Sequence, residues 1–144
     1  MHMPLENISI LDALDPASGT GGNGAWVAAK DHAKFLAILM TGAGAGGDVD
    51  FKLQAADNVA GDNPVDITDH ALVTIAQASA SSKQATIELR QRAIPQGKTH
   101  IRMVDAAGGA TLLSALLLGY EPFEVIPGVS RNKATVVQTV SVRP

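Results

Sequence analysis

Four histidines are the side chains best suited to metal binding or proton transfer in this 144-residue chain, and they stand far apart. No two share the i, i+2 or i, i+4 spacing that sets two imidazoles on one face of a strand or helix. Cysteine is absent, which removes thiolate ligands, disulfides and cysteine nucleophiles together. We therefore expect ordinary side chains, and no metal centre, at His2, His32, His70 and His100.

An acidic loop is the best candidate for a cation site. It carries carboxylates at Asp57, Asp62, Asp66 and Asp69, and Ca²⁺ binds to several oxygen ligands of this kind. The spacing does not follow the EF-hand pattern, which ends in a glutamate. Because aspartate also hydrogen-bonds to its own backbone in turns, the pattern favours a turn-rich loop over a bound cation.

No other motif points to an enzyme or a cofactor. The glycine-rich runs 19–24 and 42–47 lack the Lys-Ser/Thr ending of a phosphate-binding loop. Ser114 does not stand in a G-x-S-x-G elbow, and the sequence marks out no Ser, His and Asp set. We expect a protein without catalytic residues or cofactors.

Charge and hydropathy also exclude two kinds of partner. The 11 basic and 14 acidic residues are scattered singly, without the Lys/Arg cluster that binds a phosphate backbone, so no direct nucleic-acid partner is expected. The longest apolar run, 112–118, is far shorter than the ~20 residues that span a bilayer, and the N-terminus lacks the features of a signal peptide. The five aromatic residues are few enough to be expected in the core.

The elements that must position these side chains read as strands. In KQATIELRQR, Ala85, Ile87 and Leu89 alternate with polar residues, which predicts a central strand with one buried face. A turn at 95–97 follows, so the run 99–104 is expected to fold back antiparallel beside it. This hairpin would allow Glu88 to form an ion pair with Arg102 or Lys98.

Several other stretches fit the same description. The run 34–40 is apolar on both faces, which suits a strand covered on both sides or equally a short buried helix, and 48–56 has the cleanest alternation in the chain. Further strands are predicted at 65–68, 72–78, 111–120 (after a glycine-bearing turn at 106–110) and 134–142. About eight or nine strands with turns near every tenth residue predict an all-β fold, an antiparallel β-sandwich or jelly-roll-like barrel.

The N-terminal stretch allows two interpretations. Its apolar residues precede a Gly/Ser-rich segment that resembles a flexible tether, so residues 1–24 are predicted to form an arm on a β domain spanning 25–144. The alternative is that the apolar part is the first strand of its own sheet. If it is an arm, its apolar residues are the candidates for binding a partner: Leu5, Ile8, Ile10, Leu11 and Leu14.

Six segments within residues 5–104 carry a resemblance to a known family. In order they are LENISILDALDP, AWVAAKDHAKFLAILMTG, DVDFKLQAAD, DITD, KQATIELR and KTHIRM. Together they resemble small structural proteins of tailed bacteriophages and prophages, encoded near the major capsid protein. The later LLLGYEP stretch sits where such proteins carry a comparable strand.

The resemblance implies a non-enzymatic virion component of the head decoration, or cement, type. Such a protein is assembled in the host cytoplasm and sits on the outer capsid surface, where it binds the major capsid protein and copies of itself, commonly as a homotrimer. A head-tail connector or tail-terminator ring is the alternative. A carbohydrate-binding or adhesion module fits less well, because exposed aromatics and an export signal would be expected of it.

Overall fold

The computed structural model describes residues 7–44, 47–67, 73–76 and 82–123, and nearly all of the regular structure in these ranges is β-strand. A 3-10 helix at Gln91–Ala93 is an exception. The eight strands are β1 (Ile8–Asn23), β2 (Val27–Ala28), β3 (His32–Gly44), β4 (Val49–Ala56), β5 (Val65–Asp66), β6 (Val73–Ile75), β7 (Gln84–Arg90) and β8 (His100–Pro122).

One antiparallel sheet contains all eight strands, and β8 lies at its centre. On one edge of β8 the chain runs through β1 and then β2, and on the other edge it runs through β3 and then β4. Beyond these, β7 pairs with β3, while β5 and β6 pair with β4. The 23-residue β8 therefore connects two halves of the sheet.

The sheet curls so that its two halves share a single core. Alternating residues of β3, β4, β7 and β8 are buried, as period-two alternation requires. Side chains from both halves meet in one cluster; its largest members are Phe35, Phe51, Leu39, Leu53, Leu89, Ile101, Met103 and Leu117. The predicted antiparallel all-β fold is thus confirmed, as are the strands expected at 34–40, 48–56 and 111–120.

The turn predicted at 106–110 is wrong. β8 continues through these residues without reversing direction, and the sheet bends at this point instead. On the β3–β4 edge, Gly44 lies opposite Thr111 and Val49 opposite Ala107, so the neighbouring chain follows the same course. Glycine in a strand marks a bend as readily as a turn, and β8 is paired on both edges immediately before and after this stretch.

β7 is confirmed as a strand with Ala85, Ile87 and Leu89 buried, but its predicted position is wrong. It lies at the end of the described strand order rather than at the centre, beside β3. The run 99–104 does not form a hairpin with it and pairs with β2 and β4. The expected ion pair of Glu88 is also not formed, since Arg102 donates to Gln54 and Lys98 contacts Asp57.

The N-terminal segment belongs to the sheet. β1 pairs with β8 from Ile8 opposite Tyr120 to Asn23 opposite Val104, with bulges along the way. Of the two interpretations, the structure has the intrinsic strand, and the boundary placed at residue 24 is corrected. The reason is that glycine and serine in this segment allow close approach to β8 as well as flexibility: a Cβ on Gly21 would lie 2.2 Å from the Asp105 carbonyl oxygen.

The aromatic residues only partly meet the expectation of a core position. Phe35 and Phe51 are buried, whereas Phe123 is 60% exposed. The Trp26 ring is half-buried and is covered by the Arg102 guanidinium, 4.4 Å from the ring centroid.

Within the described residues, no helix is long and apolar enough to cross a membrane. The strand predicted at 134–142 lies outside the described residues.

Candidate protein-binding surface

The face of the sheet turned away from the core is apolar as well. In β3, Phe35 and Leu39 enter the core, so the residues that alternate with them point outward. These are Leu36, Ile38 and Met40, and they are not among the described side chains that form the core or pack against it. The run predicted to be apolar on both faces is therefore a strand with two apolar sides.

β8 and β1 continue this apolar surface across the sheet. Leu118 lies between Leu36 of β3 and Ile10 of β1, and Leu116 lies opposite Ile38. Cross-strand partners share a face of the sheet, so these side chains are neighbours. We call the set the outer apolar face: Ile8, Ile10, Leu36, Ile38, Met40, Leu112, Leu116 and Leu118.

The outer apolar face is large enough to be functional. Three strands about 4.8 Å apart and seven residues at about 3.3 Å each give a patch of roughly 300 Å², a size that on monomeric proteins is often a binding site. Met40 and Leu112 are 41% and 42% exposed, and its other members are half-buried by one another and by their neighbours.

A polar border runs along one side of the outer apolar face. Thr86 and Glu88 of β7 are exposed and lie opposite Ile38 and Leu36. An apolar centre with a polar rim is the usual anatomy of a protein–protein interface.

At one end the face opens into a groove of about 940 Å³. Its lining includes Leu36, Tyr120, Arg90 and Arg92, together with the Lys34–Glu121 ion pair, which is exposed on both sides. The groove adds hydrogen-bond donors and charges of both signs to an otherwise aliphatic surface, and such groups fix the orientation of a partner.

The five residues predicted to bind a partner are divided by the sheet. Ile8 and Ile10 lie on the outer apolar face, opposite Tyr120 and Leu118. Leu11 and Leu14 pack against the core from the other side. Leu11 does so by ordinary alternation with Ile10, whereas Leu14 does so because the β-bulge between Ile10 and Asp12 reverses the alternation. Leu5 lies outside the described residues. The members contributed by β3 and β8 were not singled out from the sequence, although apolar residues on both faces of 34–40 were the available signal.

The acidic loop binds its own neighbours. Asn63 and Lys98 donate to Asp57 and lower its pKa, and Lys52 and Gln54 do the same for Asp66. Asp62 accepts from Asn58. Across the described residues, no three acidic or histidine side chains are grouped to hold a metal, and Asp69 lies outside that part of the chain. Residues 57–63 form the turns that the sequence favoured, and within them the Asp57 N–H donates to the Asp62 carbonyl.

The two described histidines occupy different environments. His32 is buried and its Nε2 lies 3.2 Å from Ser9 Oγ. This is a Ser–His contact, but both residues are inside the fold, at 4% and 0% exposure for His32 and Ser9, where a substrate cannot reach them. His100 Nδ1 shares a hydrogen bond with Thr99 Oγ1 at the surface. His2 and His70 lie outside the described residues.

Two buried carboxylates hold the glycine-rich end of β1, and sequence reasoning did not find them. The Ala25 N–H donates to Asp12 Oδ2 (2.8 Å), and the Gly22 N–H donates to Asp105 Oδ1 (2.9 Å). Burial raises the pKa of Asp105, and the Gly22 hydrogen bond opposes that rise. These residues shape the backbone rather than a reactive site.

No protein-family model matches the chain, and no curated protein matches its sequence.

Proposed function

We propose that this protein is a non-enzymatic structural component of a tailed-phage virion, a head decoration or cement protein that binds the major capsid protein on the outer capsid surface. The outer apolar face is the observation that carries this proposal. An aliphatic surface on the side of the sheet opposite the core, with a polar border and a charged groove, is suited to contact with another protein.

The strength of one such contact fits a protein that acts in many copies. The outline of roughly 300 Å² also contains Ser114, opposite Met40, so burial of its apolar part contributes at most about 7 kcal/mol, which is comparable to the ~4–15 kcal/mol of freedom lost on association. A single face therefore binds weakly. A homo-oligomer, which we propose to be a trimer, presents several faces at once and gains avidity on a repeating lattice.

The segments that resemble phage structural proteins support the same proposal. In the described part of the chain, five of them include residues 8–16 of β1, β2 with most of β3, β4, β7 and the start of β8, and DITD begins in β5. The resemblance therefore includes strands that build both the core and the outer apolar face.

Binding to capsids tests the function. Purified protein is mixed with expanded capsid shells of the phage or prophage that encodes it, and co-sedimentation and shell melting are measured. We expect binding and a higher shell melting temperature, because a ligand of the assembled shell stabilises that state. Equal shell melting with and without the protein would rule out the cement function.

Matched variants locate the contact. Ile38→Lys and Leu116→Lys each place a charge in the outer apolar face and are expected to reduce binding at least tenfold, with the fold intact by circular dichroism. Gln96→Lys adds the same charge in an exposed turn away from the face and should bind normally. Unchanged binding by both face variants would mean that another surface meets the shell, and isolated rings with an open channel would favour the head-tail alternative.

A further inference from the structure

The last residue of β1, Asn23, is followed by Gly24, and this pair has a chemistry of its own. Asparagine is thermolabile, because the backbone nitrogen of the next residue can attack its side-chain amide. Glycine in that place has no Cβ to obstruct the approach and leaves the backbone able to turn. None of the other asparagines precedes a glycine; they are Asn7, Asn58, Asn63 and Asn132.

The reaction is a loss of ammonia followed by an uptake of water. The Gly24 nitrogen forms a bond to Asn23 Cγ, the bond from Cγ to the amide nitrogen breaks, and ammonia leaves with the proton of the Gly24 N–H. Water then opens the resulting succinimide at either carbonyl, which produces aspartate or isoaspartate. Water is the only other reactant, and Asn23 is exposed to it.

The folded sheet holds the attacking nitrogen away from the amide. Gly24 is buried, and its N–H donates to the Met103 carbonyl of β8 (2.9 Å). Asn23 lies opposite Val104 in the same ladder. Ring closure needs the Gly24 nitrogen rotated toward the Asn23 Cβ, which the extended conformation of a strand does not allow.

Two buried carboxylates fix the backbone before and after Asn23. The Gly22 N–H donates to Asp105 Oδ1 (2.9 Å), and the Ala25 N–H donates to Asp12 Oδ2 (2.8 Å). Rotation at Asn23 would pull on both hydrogen bonds as well as on the ladder. The reaction therefore requires the end of β1 to separate from β8.

We propose that Asn23 is a site of spontaneous conversion to aspartate and isoaspartate, and that pairing of the end of β1 with β8 prevents the conversion. Local opening of this end exposes the amide to ring closure. An isoaspartate routes the main chain through its side chain and lengthens it by a methylene carbon, so Gly24 and Ala25 no longer reach their acceptors and the change is permanent. The proposal goes beyond capsid binding and holds whatever the protein binds.

Mass spectrometry of the full chain tests the proposal. Protein is incubated at mildly alkaline pH in native buffer and in guanidinium chloride, and the tryptic peptide 1–30, which contains Asn7 and Asn23, is followed over time. We expect conversion at Asn23 to be at least about tenfold slower in native buffer. In guanidinium chloride it should be much faster than at Asn7, which precedes isoleucine, and Asn23→Gln should abolish the fast conversion. Equal rates at Asn23 in the two solutions, or a rate no faster than that of Asn7 in guanidinium chloride, would overturn the proposal.

Two variants separate local opening from global unfolding under native conditions. Asp105→Ala removes the acceptor of the Gly22 N–H and should accelerate conversion at Asn23 about fivefold or more. Ile87→Ala alters the core in β7 and should leave the rate unchanged at a temperature where the variant is folded. No acceleration by Asp105→Ala, or the same acceleration by Ile87→Ala, would contradict control by the end of β1.

Hydrogen exchange at the Gly24 amide tests the same opening without any variant. Because this N–H must leave the Met103 carbonyl both to exchange and to attack, we expect it to be protected in the unchanged protein. Exchange of the Gly24 amide at the rate of an unfolded chain would overturn the proposal.

Discussion

Asp12 and Asp105 each fix the backbone at the glycine-rich end of β1 by accepting a hydrogen bond. Each is a buried carboxylate that accepts a backbone N–H of this segment. Gly24 packs so closely on Asp12 that a Cβ would lie 2.4 Å from its Oδ2. The absence of side chains in the segment therefore makes room for the carboxylates that fix it, which is why a composition typical of a tether forms part of a strand.

The raised pKa of Asp105 predicts a pH dependence of stability. Because the folded state holds the proton to a higher pH than the unfolded state does, the free energy of unfolding decreases as pH rises from about 4 through the folded pKa. Asp105→Asn keeps an oxygen acceptor for the Gly22 N–H but cannot ionise. We expect its melting temperature, relative to that of the unchanged protein, to rise over this pH range.

Asp66 provides the control with the opposite sign. Lys52 and Gln54 lower its pKa, so its contribution to stability is present above the ordinary aspartate pKa and is lost as pH falls through the lower folded value. Asp66→Asn should therefore be less stable than the unchanged protein at pH 7, with the difference disappearing in acid. Thermal melts between pH 3 and 7 compare both variants. A pH-independent difference for Asp105→Asn would contradict the first prediction.

At the scale of strands, the sequence predicted which side chains of a strand are buried better than it predicted which strands pair with each other. Alternation identified β4 and β7 and the inward residues of each, because burial of every second side chain is a local property. Pairing is not local. The short turn before 99–104 suggested a hairpin with β7, but both long edges of β8 pair with residues at least 44 positions earlier in the chain, as in Ala56 opposite His100. No spacing rule marks that choice.

The candidate site was predictable only in part for the same reason. Ile8 and Ile10 were identified as apolar residues available to a partner, and the register places both on the outer apolar face. The contributions of β3 and β8 depend on knowing that these strands lie side by side with matching alternation. From the sequence alone, the apolar residues on both faces of 34–40 suited a strand covered on both sides, or a short buried helix, rather than a strand with one open apolar face.

Two adjacent leucines of β8 allow the core face and the outer apolar face of the sheet to be tested separately. Leu117 is fully buried in the core, whereas Leu116 belongs to the outer apolar face. Leu117→Ala should lower the free energy of unfolding by about 2–5 kcal/mol through the cavity it leaves. Leu116→Ala should change it by no more than about 1 kcal/mol but weaken capsid binding. Denaturant unfolding and co-sedimentation measure the two effects, and equal destabilisation by both would contradict the assignment of faces.

At the scale of the whole molecule, the shared strand makes the two halves one unit. β8 crosses the bend, and the core contains side chains from both sides of it. Neither half has a closed core of its own, so the chain is expected to unfold in a single transition.

The single tryptophan makes this prediction easy to check, because Trp26 contacts Arg102 in the first part of β8. Ile87→Ala alters the core on the other side of the bend, in β7. We expect it to lower the midpoint of Trp26 fluorescence and the midpoint of far-ultraviolet circular dichroism equally. Separate midpoints for the two signals would show that the halves unfold independently.

The position of β8 in the chain has a consequence for how the protein is made. The strands that flank it, from β1 to β4, have been synthesised once translation reaches residue 56, whereas β8 is complete only at residue 122. At about 5–20 residues per second, these earlier strands wait on the order of 3–13 s for their common partner. During that time the nascent chain presents several open edges at once, so its yield in the cell should depend on holdase chaperones and on translation speed between β4 and β8.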